Sequence, residues 1–359
     1  METITTNDRK PERALVEAGV TILLGLDLHS TQVTVCRQRD GRLPQPAQKL
    51  SEADLLRLVR EALGEGARVY SCYEAGPCGY GLHRTLTALG VTNYVVAPQR
   101  WDERGRRVKT DQRDARELCN RLDRYIRGNT DAFAVVRVPT PEQEQRRALC
   151  RQRGTLLQER QRCEVRGHGL MLAQGIRAPK GWWEPATWRE LSPQLPPWVR
   201  SLVARWREHA QRFEKELTEL TPRLEALSAG QLQPKGLGAL TAALIDAEVV
   251  DWTRFQGRRA VSSYTGLCPS EYSTNLHRRQ GAVNKHGNPR LRHQLVEAVW
   301  RLLQWQPDYK PLQPVRAAQS SRLRKRAAVA AARRLAVDLW RLRTNRATAE
   351  QLGLRLAER

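Results

Sequence analysis

Two carboxylates three residues apart, Asp111 and Asp114, sit in the stretch KTDQRDA among the basic side chains of Arg106, Arg107, Lys109 and Arg113. At that spacing on a helix both project from one face. A third acid, Asp27, falls inside the apolar run TILLGLDL, where a carboxylate is costly unless something compensates it. A fourth, Glu74, ends the run RVYSCYE and is followed by the chain-breaking Ala75-Gly76-Pro77. If these four acids converge in a basic protein, they require a cation, and hard oxygen donors select Mg²⁺ or Mn²⁺ over zinc. Two such ions can clamp the attacking and leaving oxygens of a phosphodiester. The plainer alternative pairs Asp111 and Asp114 with Arg106, Arg107 and Arg113. The position of Asp27 favours the cation.

The elements that must carry these acids follow from periodicity. Residues 21–39 read as a strand, a polar turn at His29-Ser30-Thr31 and a second strand with Val33 and Val35 alternating. SEADLLRLVREAL at 51–63 has a Ser cap and helical Leu spacing. A strand ending at Glu74, a helix over about 78–89 and a strand in TNYVVAP continue the alternation. The expectation is a mixed α/β sheet flanked by helices, with the strands of Asp27 and Glu74 as neighbours.

Three regions are expected: residues 1–140 with the four acids, a helical middle at 141–230 and a mostly α-helical third region at 231–359. The middle is charged and helically periodic, interrupted by the Trp- and Pro-rich GWWEPATWRELSPQLPPW, and reads as a helical hairpin or coiled coil serving dimerisation or spacing. In the third region KGLGALTAALIDAEV resembles one helix-hairpin-helix unit. In such a unit a Gly-x-Gly turn at Gly236 and Gly238 lets backbone amides approach a phosphate; a plain turn between core helices is the alternative. The stretch RLRKRAAVAAARRLAVDLWRLR reads as a basic helix, lying on a nucleic-acid backbone or turning its Arg face to solvent.

The chain of 359 residues carries a formal net charge of +23, spread along its length, with 40% hydrophobic residues. So much unbalanced charge points to a polyanionic partner, nucleic acid first, although an arginine-rich composition alone is the alternative. No apolar run reaches the roughly 20 residues of a membrane helix, and the polar start is unlike a signal peptide. A cytoplasmic location is expected, without membrane association. The seven cysteines form no Cys-x-x-Cys pair, which argues against structural zinc and a disulfide framework.

GLDLHSTQVTV, YEAGPCGYGL and KTDQRDA, in this order and spacing, resemble the DEDD insertion-sequence transposases called the IS-one-ten and IS-eleven-eleven group. The resemblance resumes with GLGALTAALIDAEVVDWTRF, SSYTGLCPSEYSTNLHRRQGAVNKHGNPRLR and a helix beginning LVEAV. It implies a RuvC-like, RNase H-type N-terminal domain whose metal-binding acids are Asp27, Glu74, Asp111 and Asp114. It implies a recombinase acting on double-stranded donor and target DNA, guided by a noncoding RNA from the element. It further implies a homo-oligomer, dimer or tetramer, whose composite site pairs the acids with a hydroxyl nucleophile forming a phosphoseryl intermediate. Such a protein would work at the bacterial nucleoid.

Many relatives read Tyr-Ser-Ser-Gly where this chain reads Tyr272-Ser273-Thr274-Asn275. Aligned without gaps, the nucleophile's position falls on Thr274, and Ser273 takes it after a one-residue loop shift. Ser273 is preferred because Ser270 lies too close to the Pro269 turn. Both hydroxyls stay open. Gly281, Lys285, Gly287, Asn288 and Arg292 follow the family's pattern of a glycine-punctuated loop suited to gripping a phosphate, with Arg278 and Arg279 assisting.

Three rivals remain. A sugar- or acetate-kinase-like ATPase would need a second glycine-rich phosphate hairpin and an adenosine pocket, and the sequence has neither. A Holliday-junction resolvase using the acids alone leaves the C-terminal motifs idle. In a non-catalytic nucleic-acid binder the acids would hold only a structural ion.

Overall fold

The computed structural model describes residues 19–98, 110–272, 277 and 279–357. The chain divides into two compact units, Met1–Val138 and Pro139–Arg359. Lys109, Ser273, Thr274 and Arg278, with Arg106 and Arg107, lie outside the described residues.

In the first unit β1 (Thr21–Leu28) and β2 (Val33–Arg39) form an antiparallel hairpin with Asp27 opposite Thr34. A short strand that periodicity did not reveal, β3 (Gln48–Leu50), pairs antiparallel with β2. Helix α1 (Glu52–Gly64) starts at Ser51, whose side chain accepts the Asp54 N–H. Strand β4 (Arg68–Glu74) runs parallel to β1. The next helix, α2 (Gly81–Ala88), starts later than the expected position near residue 78. The reason is Gly79 at φ +67, a left-handed turn that the helix cannot include. Strand β5 (Thr92–Val96) lies parallel to β4, and the sheet order is β3-β2-β1-β4-β5. The mixed α/β sheet expected for this region is therefore present. Helix α3 (Asp111–Ile126) completes the unit's helices.

Strand alternation sorts the two sheet faces. Leu24, Leu26, Val69 and Tyr73 pack with Leu55 and Val59 of α1 and Leu82 and Leu86 of α2. Leu23 and Cys72 pack on the other face with Ala115, Leu118, Cys119 and Leu122 of α3. By the same period of two, Asp27 and Glu74 belong to the α3 face. Gly25 lets α3 come close: a Cβ there would collide with the Ala115 carbonyl and the Cys119 amide. The helix backbone rests directly on β1.

In the second unit α4 (Pro141–Ala173) opens with a capping box between Thr140 and Gln143. It packs along α6 (Pro197–Ala226), tied by Arg160 Nη1 to Glu214 Oε2 at 2.6 Å and by Arg153 Nε to Thr221 Oγ1 at 3.1 Å. The insert between them holds the short α5 (Pro185–Leu191) and folds Trp182 against Gly167, where a Cβ would collide with the indole. Gly236 has φ +91, and Gly238 caps α7 (Ala239–Val249). Then come α8 (Arg258–Thr265) and a two-stranded hairpin that sequence reading missed, β6 (Pro269–Glu271) with β7 (Gln280–Val283).

Helix α9 (Pro289–Trp305) begins well before the LVEAV expected to open it, because Asn288 caps it by accepting from the Arg290 and Leu291 amides. The short α10 (Gln313–Arg316) leads to α11 (Ser321–Arg343). The basic stretch expected as a helix is this α11. Its inner side is packed rather than solvated, with Ala332 and Leu335 joining Leu295, Val299 and Leu302 of α9 in one core.

Candidate active site

The acidic cluster is built at the carboxyl ends of two adjacent parallel strands and the first turn of α3. Leu26 of β1 pairs with Tyr73 of β4, so Asp27 and Glu74 take the next positions on neighbouring strands. Asp111 and Asp114 both lie in the first turn of α3, where partial positive charge from the helix dipole favours carboxylates. The structure thus brings the distant Asp27 and Asp111 together, each offering a carboxylate oxygen in a group, completed by His29, whose ligand atoms lie within 4.8 Å of one another.

His29 is the residue that sequence reasoning left in the turn. Its Nε2 lies 3.3 Å from Asp27 Oδ2 and 3.4 Å from Asp111 Oδ2. Lys49 of β3 brings its Nζ to 3.6 Å from the same Asp111 oxygen. The signal for His29 was its offset of two from Asp27, which in extended chain returns to the same side. Nothing in the short QKL run announced Lys49.

Burial pushes the Asp27 carboxyl above its ordinary value, and His29 opposes that shift. The negative charges of Asp114 and Asp111 push it further upward. Glu74 Oε1 is buried without a hydrogen-bond partner among the described residues. A raised carboxyl beside two other acids and an orphaned carboxylate oxygen both mark a local shortage of positive charge. Oxygen donors with that shortage fit a hard divalent cation.

In the second unit the predicted loop residues divide by what they touch. Asn288 caps α9 and donates from Nδ2 to Glu248 Oε2 at 2.7 Å. Arg292 Nη1 donates to the carbonyls of Thr265 and Lys285, each at 3.3 Å. Gly266 at φ +64 and Gly287 pack backbone to backbone, with no room for a Cβ on either. These side chains hold the loop in shape, a role that sequence reasoning did not assign to them. Lys285, at φ +58, and Arg279 are exposed, and the Arg279 carbonyl accepts the Tyr272 N–H.

Sequence reasoning also missed Glu248. Its side chain is only 4% exposed and receives both Nε and Nη2 of Arg151. Burial pushes its carboxyl upward, but hydrogen bonds from Arg151 and Asn288 and the charges of Arg151 and Arg147 outweigh this and hold it below its ordinary value.

Residues 232–312 match the model of the transposase IS116/IS110/IS902 family. The chain is 31% identical over 282 residues to y4rJ of Sinorhizobium fredii, which carries a provisional transposase name, with 71% of each chain covered. It is 27% identical over 294 residues to the transposase for insertion sequence element IS1111A of Coxiella burnetii, covering 77% of this chain and 79% of that one. It is 25% identical over 289 residues to the transposase for insertion sequence element IS1328 of Yersinia enterocolitica, covering 77% and 82%. A match of this extent across both units, together with the family-model match around the β6–β7 hairpin, establishes that the chain belongs to the IS116/IS110/IS902 family of insertion-sequence transposases.

Proposed function

We propose that this transposase cleaves and rejoins DNA strands through a protein hydroxyl, assisted by a divalent cation held by Asp27, Glu74, Asp111 and Asp114. The observation that carries the reading is the meeting of Asp27 and Asp111, remote in sequence, within the span of one ion. The mixed sheet, with acids at the ends of β1 and β4 and on the helix across one face, supports a RuvC-like domain. When bound, Mg²⁺ or Mn²⁺ supplies Lewis-acid stabilisation of charge on a phosphodiester.

The chain's own groups do the rest. The hydroxyl oxygen of Ser273 or Thr274 bonds to phosphorus as a phosphorus–deoxyribose oxygen bond breaks, and the hydroxyl proton leaves while the departing oxygen gains one. A phosphoester replaces a phosphoester, so the step needs no external energy source. Attack by a deoxyribose hydroxyl of another strand reverses it and joins new partners. Lys109, Arg278, Arg279 and Lys285 neutralise backbone phosphates, and Asn288 and Arg292 act by fixing the loop that follows the hairpin.

An element-encoded guide RNA selects donor and target duplexes in this reading, and the net charge of +23 supports a heavy nucleic-acid load. The chain works as a homo-oligomer in the cytoplasm, at the nucleoid. Val165 and Leu172, exposed at heptad spacing on α4, support self-association through a coiled coil of the middle helices. Gly236 and Gly238 ahead of α7 support a helix-hairpin-helix-like contact with the backbone.

The test is to purify the chain from cells carrying its full element, sequence the bound RNA, and trap protein–DNA adducts in the wild type and in D27A, S273A and T274A. A specific transcript is expected, with the adduct lost in D27A and in one hydroxyl variant. Adducts surviving in all three variants would remove both the acids and these hydroxyls from the chemistry, and a random RNA population would remove the guide.

A further inference from the structure

The second unit holds a feature that the proposed chemistry does not use. Arg258 and Arg259 of α8 and Arg333 and Arg334 of α11 line a cavity of about 450 Å³ together with Glu271 and Gln280 of the β6–β7 hairpin, so four guanidinium groups share it with one carboxylate of the lining. A second cavity of about 380 Å³ shares Arg258, Arg334 and Val337 with the first and extends to Trp340 and Arg341. The two form one groove along α11, because positions 333, 337, 340 and 341 recur on one helical face.

Charge in this groove is poorly balanced. The buried Asp338 takes Arg334 Nε at 2.9 Å and Arg341 Nη1 at 3.7 Å. Among the described residues no carboxylate lies within ion-pair distance of Arg258, Arg259 or Arg333. Guanidinium groups gathered around one cavity repel each other until an anion enters. Their planar forks match phosphate oxygens better than any other side chain does. A second, independent sign is Trp340 in the lining of the second cavity: it is 5% exposed, and its indole N–H is buried with no acceptor among the described residues. Val337 and Trp340 give the groove an apolar floor between charged walls, which suits the sugar edges between successive phosphates.

The hairpin that lines this cavity connects β6 to β7 through the segment that contains Ser273 and Thr274. We propose that the α8–α11 groove is a phosphodiester-binding track, gripping the backbone of the DNA strand beside the phosphodiester presented to the β6–β7 hairpin. The choice of DNA rests on the proposed function; the anion site itself rests on the groove alone.

The test uses the full chain, freed of nucleic acid, in EDTA so that no metal-dependent cleavage intervenes. Fluorescence anisotropy with a labelled random-sequence DNA duplex, and with the matching RNA duplex, is followed as salt is raised. R258Q/R259Q/R333Q is compared with R60Q/R200Q/R205Q, which removes the same charge from exposed arginines elsewhere. The groove triple is expected to weaken DNA binding at least about tenfold more than the control and to lower the slope of log K against log salt by about 2 to 3. R258K/R259K/R333K is expected to recover the slope and only part of the affinity, and it guards against misfolding of the Gln triple. Equal losses in both Gln triples would overturn the track. A loss confined to the RNA duplex would overturn its assignment to DNA. Because binding is read without chemistry, neither result depends on the acids or on Ser273 and Thr274.

Discussion

Arg151 of α4 and Glu248 of α7 meet in a two-pronged pair, Nε donating to Oε1 and Nη2 to Oε2, both at 3.0 Å. The same carboxylate receives Asn288 Nδ2, and Asn288 in turn caps α9. The Glu248 carbonyl accepts the Tyr264 hydroxyl at 2.7 Å. One buried acid therefore links the long middle helix to the loop that follows the β6–β7 hairpin. Glu248→Ala should cost on the order of 2 kcal/mol in urea unfolding, the cost of unpairing buried donors, moderated because the Arg151 side chain is 41% exposed. Its depressed carboxyl fixes the sign with pH. The contribution is full above the unfolded value near 4.5 and disappears as pH falls through the lower folded value. An Ala variant that lost as much stability at pH 3 as at pH 7 would show that the charge is not what matters.

The contact of Gly25 with α3 leads to a second expectation. An Ala at 25 has backbone on the far side of its Cβ, at the Ala115 carbonyl and the Cys119 amide, and backbone cannot swing away as a side-chain tip can. Gly25→Ala should destabilise the first unit by about 1–3 kcal/mol. It should also lift the first turn of α3 off the end of β1, so DNA cleavage should fall even where the variant is fully folded. Thermal melts paired with cleavage assays check this. A stable variant with wild-type cleavage would mean that α3 tolerates displacement.

Asp27 and Glu74 could be picked out before folding because a carboxylate in an apolar strand, or at a strand end before Gly-Pro, is a local anomaly, and Asp111 and Asp114 because two acids three residues apart stand out in a basic run. Asn288 and Arg292 looked like phosphate ligands for an equally physical reason. A side-chain amide and a guanidinium satisfy a phosphate, a helix N-terminus or a stray carbonyl alike, and only the folded chain says which is within reach. The β6–β7 hairpin escaped notice because three- and four-residue strands show too little alternation to register. Glu248 sits in ALIDAEVV, where its partner Arg151 is remote in sequence and no local pattern connects them.

The crowding of Asp27 against Asp111 and Asp114 should be visible without any nucleic acid. Asp27→Asn removes one of three mutually repelling carboxylates while keeping a hydrogen-bonding side chain. The metal-free variant should therefore melt at or slightly above the wild-type temperature. Mg²⁺ at about 100 times its Kd should stabilise the wild type by roughly 2.7 kcal/mol and leave the variant almost unmoved. DNA cleavage by the variant should drop roughly a hundredfold or more. Equal Mg²⁺ stabilisation of both proteins would place the ion elsewhere.

His29 separates two kinds of cation. Its Nε2 stands between Asp27 and Asp111 at 3.3 and 3.4 Å, within reach of both carboxylates. Imidazole is a good ligand for Ni²⁺ or Zn²⁺ and a poor one for Mg²⁺, which prefers carboxylate and water oxygen. His29→Ala should therefore weaken Ni²⁺ or Zn²⁺ binding about tenfold or more, the order of one lost ligand, while leaving Mg²⁺ binding unchanged or tighter. Isothermal titration with each ion reads the difference directly. Parallel losses for hard and soft ions would mean that His29 shapes the cluster as a whole, and the all-carboxylate assignment of Mg²⁺ would then have to include the histidine.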